Sequence, residues 1–277
     1  MKQTVLWMTG AICSFSLMAL AGRELSGQIN TFEMLFFRSL LGLIVISTVI
    51  ACTRKIQYFQ SAQIKGHLIR NSFHFLGQYG WFIGLGILPL AQVFAIEFTV
   101  PFWTAIIASV FLKDRLTLTK VSAIVIAFVG VLLIVQPSLE HFDNASLIVL
   151  GAAICYACAH TGTKVLAKNN HPLTILFYMC LIQLPIGGVM MIPHWTNPTL
   201  LQWGWILIIA LTALTAHFCM TKAMLTSTVT TVVTLDFMRL PLIAVVGFFL
   251  YQEAFGLWAI IGACIILGAM FLSLKLP

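Results

Sequence analysis

The sequence predicts an all-α polytopic membrane protein: ten transmembrane helices in two inverted five-helix repeats, with both termini cytoplasmic. Three observations predict it: the composition, the spacing of the charges and an internal repeat. Of the 277 residues, 60% are hydrophobic and 8% charged, against about 25% charged in a soluble domain. Fifteen Lys and Arg and eight Asp and Glu are too few to solvate a globule of this size. The net charge of +7 would point to nucleic acid only if it gathered on a polar face, and little polar face exists, so no nucleic-acid partner is expected. The hydrophobicity is too high for disorder.

A span needs roughly 20 mostly apolar residues. No Asp, Glu, Lys or Arg separates Arg70 from Glu97, Lys120 from Glu140, Asp143 from Lys164, or Glu253 from Lys275, and none occurs from Asn169 to Thr221. Apolar runs and breakers place helices over 5–21, 34–51, 69–87, 91–111, 121–135, 146–163, 173–192, 201–222, 229–250 and 257–274. The first run resembles a signal peptide, with Lys2 before it and Ala19-Leu20-Ala21 like a cleavage site. Its length suits a span better, and it is kept in the mature chain. Leu88-Pro89 turns the third helix into the fourth, Gln136-Pro137 ends the fifth, and His171-Pro172 opens the seventh. Between the seventh and eighth, residues 193–198 form an interfacial loop with Trp195 as a headgroup anchor. Six of the seven cysteines lie inside apolar runs and read as embedded thiols, the Cys155-x-x-Cys158 pair included; no metal site is expected.

Placing the loops alternately on two sides sorts the cations. One side receives Lys2, Arg54, Lys55, Lys65, Arg70, Lys113, Arg115, Lys120, Lys164, Lys168, Lys222 and Lys275; the other receives Arg23. Arg38 and Arg239 stay inside spans. The positive-inside rule then makes both termini cytoplasmic, with Glu24, Glu140, Asp143 and Glu253 on the outer side.

The halves 1–138 and 139–277 resemble each other. Glu97-Phe98 aligns with Asp236-Phe237, Pro101 with Pro241, Asp114 with Glu253 and Gly130 with Gly268; nearer the start, Gly10 matches Gly151 and Arg23 matches Lys164. Each unit holds an odd number of helices, so the copies are upside down relative to each other. Inverted repeats are the architecture of alternating access, because two copies of opposite topology can exchange conformations.

These motifs resemble the drug/metabolite transporter superfamily, in its EamA-type ten-helix branch, over essentially the whole chain. The resemblance rests on Arg38 early in helix two and on Leu112-Lys113-Asp114-Arg115-Leu116-Thr117, which is similar to the family's L-G-E-x-x-T. It rests also on Tyr251-Gln252-Glu253 and on the blocks Glu97–Pro101 and Asp236–Pro241. Lys113 and Gln252 stand where the family has Gly, and Asp114 where it has Glu. The resemblance implies a bacterial inner-membrane secondary carrier of small organic solutes, amino-acid-like or drug-like, coupled to protons or exchanging solutes. Export is favoured over uptake. The alternatives are uptake of a nucleoside-like or S-adenosylmethionine-like solute, a lipid flippase, or a scaffold that transports nothing.

An ionisable group at membrane depth is costly and so a functional candidate. Arg38, Glu97, Asp236 and Arg239 qualify. Asp236 and Arg239 share a helix face at i, i+3 and can pair. Pro101 and Pro241 each remove a backbone hydrogen bond and open room beside the carboxylates. Glu97, left unpaired in low dielectric, would carry an exchangeable proton; Asp236 would contact solute or gate. Arg38 would hold a substrate carboxylate or bond helix-end carbonyls. His74, His160 and His217 fall within spans, with Gln78 the repeat partner of His217, and can bond a solute or relay a proton. Trp81, Trp103, Tyr156 and Tyr79 offer an aromatic lining. The cavity is expected between helices three, four, eight and nine, with one, two, six and seven as moving walls and five and ten as support or homodimer elements. Gly runs serve helix packing. The chain has no Walker motif, H-E-x-x-H or nucleophile elbow, so neither cofactor nor enzymatic chemistry is expected.

Overall fold

The computed structural model describes residues 2–88, 90–135, 144–251 and 257–275, and among them every regular element is helical. In chain order these are α1 (Lys2–Leu25), α2 (Thr31–Cys52), α3 (Ile64–Ile87), α4 (Leu90–Glu97), α5 (Val100–Phe111), α6 (Leu118–Val135), α7 (Asn144–Leu166), α8 (Pro172–Met191), α9 (Leu200–Thr226), α10 (Val229–Leu235), α11 (Arg239–Tyr251) and α12 (Leu257–Lys275). The expected breakers Pro89, Gln136 and Pro137, the acids Glu140, Asp143 and Glu253, and Gln252 lie outside the described residues.

Two expected helices are each divided. The run expected over 91–111 is α4 and α5, parted at Phe98-Thr99; the run expected over 229–250 is α10 and α11, parted by a 3-10 turn over Asp236–Met238. Proline explains the first position. Pro101 sits in the first turn of α5, where a missing N–H costs least, and deprives the carbonyl of Glu97 of its helical donor. Beside the break, Thr99 donates from both its N–H and its Oγ1 to the Ile96 carbonyl, the latter at 2.7 Å. Pro241 stands at the matching place in the first turn of α11.

Other termini follow local rules. Asn30 caps α2 by accepting from the Phe32 N–H at 2.9 Å, and Thr199 and Gln202 form a capping box on α9. Helix α3 begins five residues before its expected start, at Ile64. That corrects the placement of Arg70: it is a buried residue of the helix, not a loop cation.

Among the described residues, six stretches are long and apolar enough to cross a membrane: α1, α2, Val93–Phe111, α7, α8 and α9. Leu118–Ile134 and Ile260–Ala269 are shorter apolar helices. Helix α3 is as long as α1 but carries Lys65, which is exposed, and His67, Arg70, Asn71, His74 and Gln78, which are buried. The chain is thus a multi-pass helical membrane protein.

The packing is pairwise. Helix α1 lies along α9, α3 along α7, α2 along α8, and α6 along α12. Small residues let the last pair meet: a Cβ on Gly130 would stand 2.7 Å from the Gly262 carbonyl oxygen, and one on Gly262 2.5 Å from that of Gly130. Apolar tails give no hydrophobic drive between helices in lipid, so such close approach supplies the contact energy. One continuous core runs from α1 to α12, with the divided helices at its centre.

Candidate functional site

The two breaks meet inside the protein. Glu97 ends α4, Asp236 opens the 3-10 turn, and Arg239 opens α11. Arg239 Nη2 donates to Glu97 Oε1 at 2.5 Å and to Asp236 Oδ2 at 2.9 Å, so one guanidinium bridges both carboxylates. Trp81 Nε1 of α3 donates to the other Glu97 oxygen at 2.7 Å. Glu97 and Arg239 are 7% and 4% exposed. The sequence reading leaves Glu97 unpaired; the structure corrects this, because packing brings a residue from the other half of the chain against it. The rings of Phe98, Phe15 and Phe94 stand 5.3, 5.5 and 6.0 Å from the guanidinium carbon, and their faces favour a cation. Asp236 Oδ1 and Arg239 Nε have no hydrogen-bond partner among the described residues.

A small cavity adjoins this triad. Nine expected residues line it: Glu97, Asp236, Arg239, His74, Gln78, Trp81, Tyr156, His160 and His217. Phe15, Met18, Phe98, Val100, Pro101, Met220 and Val233 complete the wall. Its boundaries correct the expected ones, since α1 and α7 contribute to the lining as well as α3, the divided helices and α9.

Three expected residues, Trp103, Arg38 and Tyr79, do not line it. Trp103 donates to Thr99 Oγ1 at 3.2 Å and packs with Val100, Ala153 and Ala157, behind the break it stabilises. Arg38 lies behind Gln78: its Nη1 donates to Gln78 Oε1 at 3.2 Å and to Gln183 Oε1 at 3.3 Å. Those acceptors are side-chain amides, not helix-end carbonyls. Tyr79 stacks on Phe32, with centroids 4.2 Å apart.

A polar network leads from the cavity wall to the arginines. His217 Nε2 and His74 Nε2 are 3.1 Å apart, and His74 Nδ1 lies 2.8 Å from Gln183 Nε2. Because the Gln183 amide nitrogen can only donate, His74 Nδ1 is the acceptor, which leaves its Nε2 carrying the proton toward His217. Gln183 Nε2 also reaches Asn71 Oδ1 at 3.4 Å, and that oxygen accepts from Arg70 Nη1 at 2.6 Å. Arg70 Nε donates to Thr163 Oγ1 at 2.9 Å.

Sequence reasoning missed Arg70, Asn71 and Gln183. The signal was available: an amide inside an apolar run needs a partner as much as a charge does. It also missed Glu33, which is fully buried and accepts from the Thr196 N–H at 3.1 Å and from Thr196 Oγ1 at 2.7 Å, tying the start of α2 to the loop before α9.

A buried, charge-lined cavity between broken helices of a multi-pass bundle defines a membrane carrier of small molecules. The chain belongs to the EamA-like transporter family, whose model matches residues 2–136 and again 144–275, and so is a small-molecule transporter of the drug/metabolite transporter type. Among similar proteins, the S-adenosylmethionine uptake transporter of Rickettsia bellii is 24% identical, over 95% of this chain and 90% of its own length. The riboflavin transporter of Vibrio cholerae is 25% identical over 90% and 85%. The pseudopaline exporter CntI of Pseudomonas aeruginosa is 25% identical over 80% and 78%. A crystal structure of a protein 15% identical in sequence superposes with a TM-score of 0.83, covering 99% of this chain and 96% of the other; the two share the fold.

Proposed function

We propose that the protein is a proton-coupled secondary carrier of a small organic metabolite, working by alternating access in the bacterial inner membrane. Its ten spans form two inverted repeats, 1–138 and 139–277, with both termini cytoplasmic. The helix pairing supports the repeat: exchanging the halves turns the α1–α9 pair into α7–α3 and maps α2–α8 and α6–α12 onto themselves. The double match of one family model supports it too. Lys113, Arg115, Lys120, Lys164 and Lys168 surround a single mouth, in keeping with a cytoplasmic end. We take uptake as the working direction, in place of the export expected from sequence, because the relative matched over 95% of the chain is named an uptake transporter.

The observation that carries the reading is the Glu97–Arg239–Asp236 triad in the cavity wall. Two carboxylates and one guanidinium carry one surplus negative charge, which low dielectric penalises until a single proton neutralises it. The triad joins the breaks of the two halves, so relative motion of the repeats alters its geometry and hence its hold on that proton. Reconstitution in liposomes tests this. Labelled amino acids, S-adenosylmethionine and riboflavin are offered with and without an inwardly directed proton gradient. At least one solute accumulates with the gradient and merely equilibrates without it; flux of every solute equal to that of empty liposomes contradicts the reading.

A further inference from the structure

Outside the triad, the hydrogen-bonding polarity of the cavity wall is fixed from behind. A guanidinium donates and never accepts. Arg38 Nη1 reaches both Gln78 and Gln183, so each amide turns its oxygen to the arginine and has only its Nε2 hydrogens to offer elsewhere. Arg70 acts in the same sense: its Nη1 donates to Asn71 Oδ1 at 2.6 Å, and that oxygen faces Gln183 Nε2 as an acceptor. Gln183 Nε2 donates to His74 Nδ1 at 2.8 Å, so His74 carries its proton on Nε2. That nitrogen stands 3.1 Å from His217 Nε2, which must be bare to accept. A cationic His217 would place a second proton between the two rings, where only one fits. His217 is therefore neutral, with its proton on Nδ1.

Two chains of hydrogen bonds thus leave one buried cation, and each ends in an N–H. Gln78 Nε2 and His217 Nδ1 have no partner among the described residues. Unlike Nε and Nη2 of Arg38, they are not sealed polar atoms, and both residues line the cavity. One stands on α3 and the other on α9, at positions that align between the halves of the sequence. A pair of N–H donors calls for an acceptor. The triad already leaves surplus negative charge in the same wall, so an acceptor without charge suits the site better than an anion.

We infer that Gln78 Nε2 and His217 Nδ1 form a donor-only subsite for an uncharged acceptor on the solute, a carbonyl oxygen or an unprotonated ring nitrogen. The inference deepens the carrier reading and rests on it for the cavity being the solute's. Arg38, Gln183 and His74 are positioning residues: they touch no solute and set which atoms Gln78 and His217 present.

Nitrogen-15 NMR of the full chain, labelled at histidine and held in lipid nanodiscs, reads which ring nitrogen carries the proton. Signals are assigned by their loss in His74→Asn and His217→Asn. In the wild type the proton is on Nε2 of His74 and on Nδ1 of His217. Gln183→Glu puts an acceptor where the donor was; it draws the His74 proton to Nδ1 and the His217 proton to Nε2, so the cavity meets a bare nitrogen. Two uncharged ring probes of similar size test the ligand class: pyridine N-oxide, whose oxygen only accepts, and aniline, whose amino group donates. Pyridine N-oxide shifts the wild-type His217 signals at concentrations about tenfold below those aniline needs, the order of one hydrogen bond. Gln183→Glu reverses the preference; if that variant does not fold, the wild-type proton position and probe order decide alone. A wild-type His217 proton on Nε2, an unreversed preference in folded Gln183→Glu, or an equal or absent response to both probes overturns the inference. The carrier reading stands or falls separately, on flux into liposomes.

Discussion

The protein buries charge in two places and treats it in opposite ways. At the divided helices, one guanidinium serves two carboxylates and three phenylalanine faces. Behind Gln78, two guanidiniums have no carboxylate partner among the described residues and are held by amides and a threonine hydroxyl. Arg239 is as buried as Arg38 and Arg70, at 4% against 3% exposed; the sign of the imbalance differs. The first region lacks one positive charge and the second lacks negative charge. A proton would balance the first, which faces the cavity, whereas the second is sealed behind the cavity wall. Burial alone therefore does not tell a structural charge from a working one. What tells them apart is what each cluster still needs once its internal partners are counted.

The comparison breaks most visibly at its two arginines. Arg239→Gln leaves two carboxylates facing each other in low dielectric; breaking a buried pair costs about 3–5 kcal/mol. Thermal unfolding in detergent should show a large loss of stability, and uptake should vanish. Arg38→Gln removes a charge with no counter-ion among the described residues, so its unfolding temperature should fall far less than that of Arg239→Gln. If the two variants are equally destabilised, the two regions do not differ as described.

A smaller effect sharpens the first region. Trp81→Phe keeps the ring packing and deletes the 2.7 Å bond to Glu97. A hydrogen bond to a charged group is worth about 1.5–3 kcal/mol, so gradient-driven uptake should fall roughly tenfold. Uptake at the wild-type level would show that this bond does not tune the triad.

The smallest expected effect lies at the periphery and serves as a control. His171 caps α8 by accepting from the Leu173 N–H at 3.2 Å and stacks on Tyr58. Burial, then the charges of Lys222 and Lys55, lowers its pKa below the ordinary 6.5. The fold thus keeps the neutral, accepting imidazole, and the unfolded chain binds the extra proton. This contribution is complete above the ordinary value and is lost as pH falls below it toward the lowered one. Hydrogen exchange in the first turn of α8 should quicken on acidification from about pH 7.5 to about 5.5. His171→Asn, which retains a capping acceptor, should flatten that change without altering uptake.

Much of this was legible in the sequence, and the reasons are particular. Glu97, Asp236 and Arg239 are conspicuous because charge inside an apolar run is expensive, and Pro101 and Pro241 mark where helices must open. Asp236 with Arg239 is a local pair that spacing reveals. Glu97 with Arg239 is not: the two are 142 residues apart and meet only because both broken helices reach the core. Arg70 was hidden by its nearness to the end of a run, where a cation ordinarily snorkels to water. Asn71 and Gln183 carry no charge and escape any count of charges, yet they hold the arginine network together. Unpaired valences such as the Nε–Nη2 edge of Arg38 are visible only once every partner has a position.

The central claim, that the triad binds the coupling proton, is tested most directly by Glu97→Gln in liposomes. This variant leaves Arg239 paired with Asp236, and the cluster is neutral without a proton. The account predicts that solute exchange between equal concentrations persists while accumulation against a gradient, driven by a pH difference, disappears. Accumulation in Glu97→Gln at the wild-type level would contradict it.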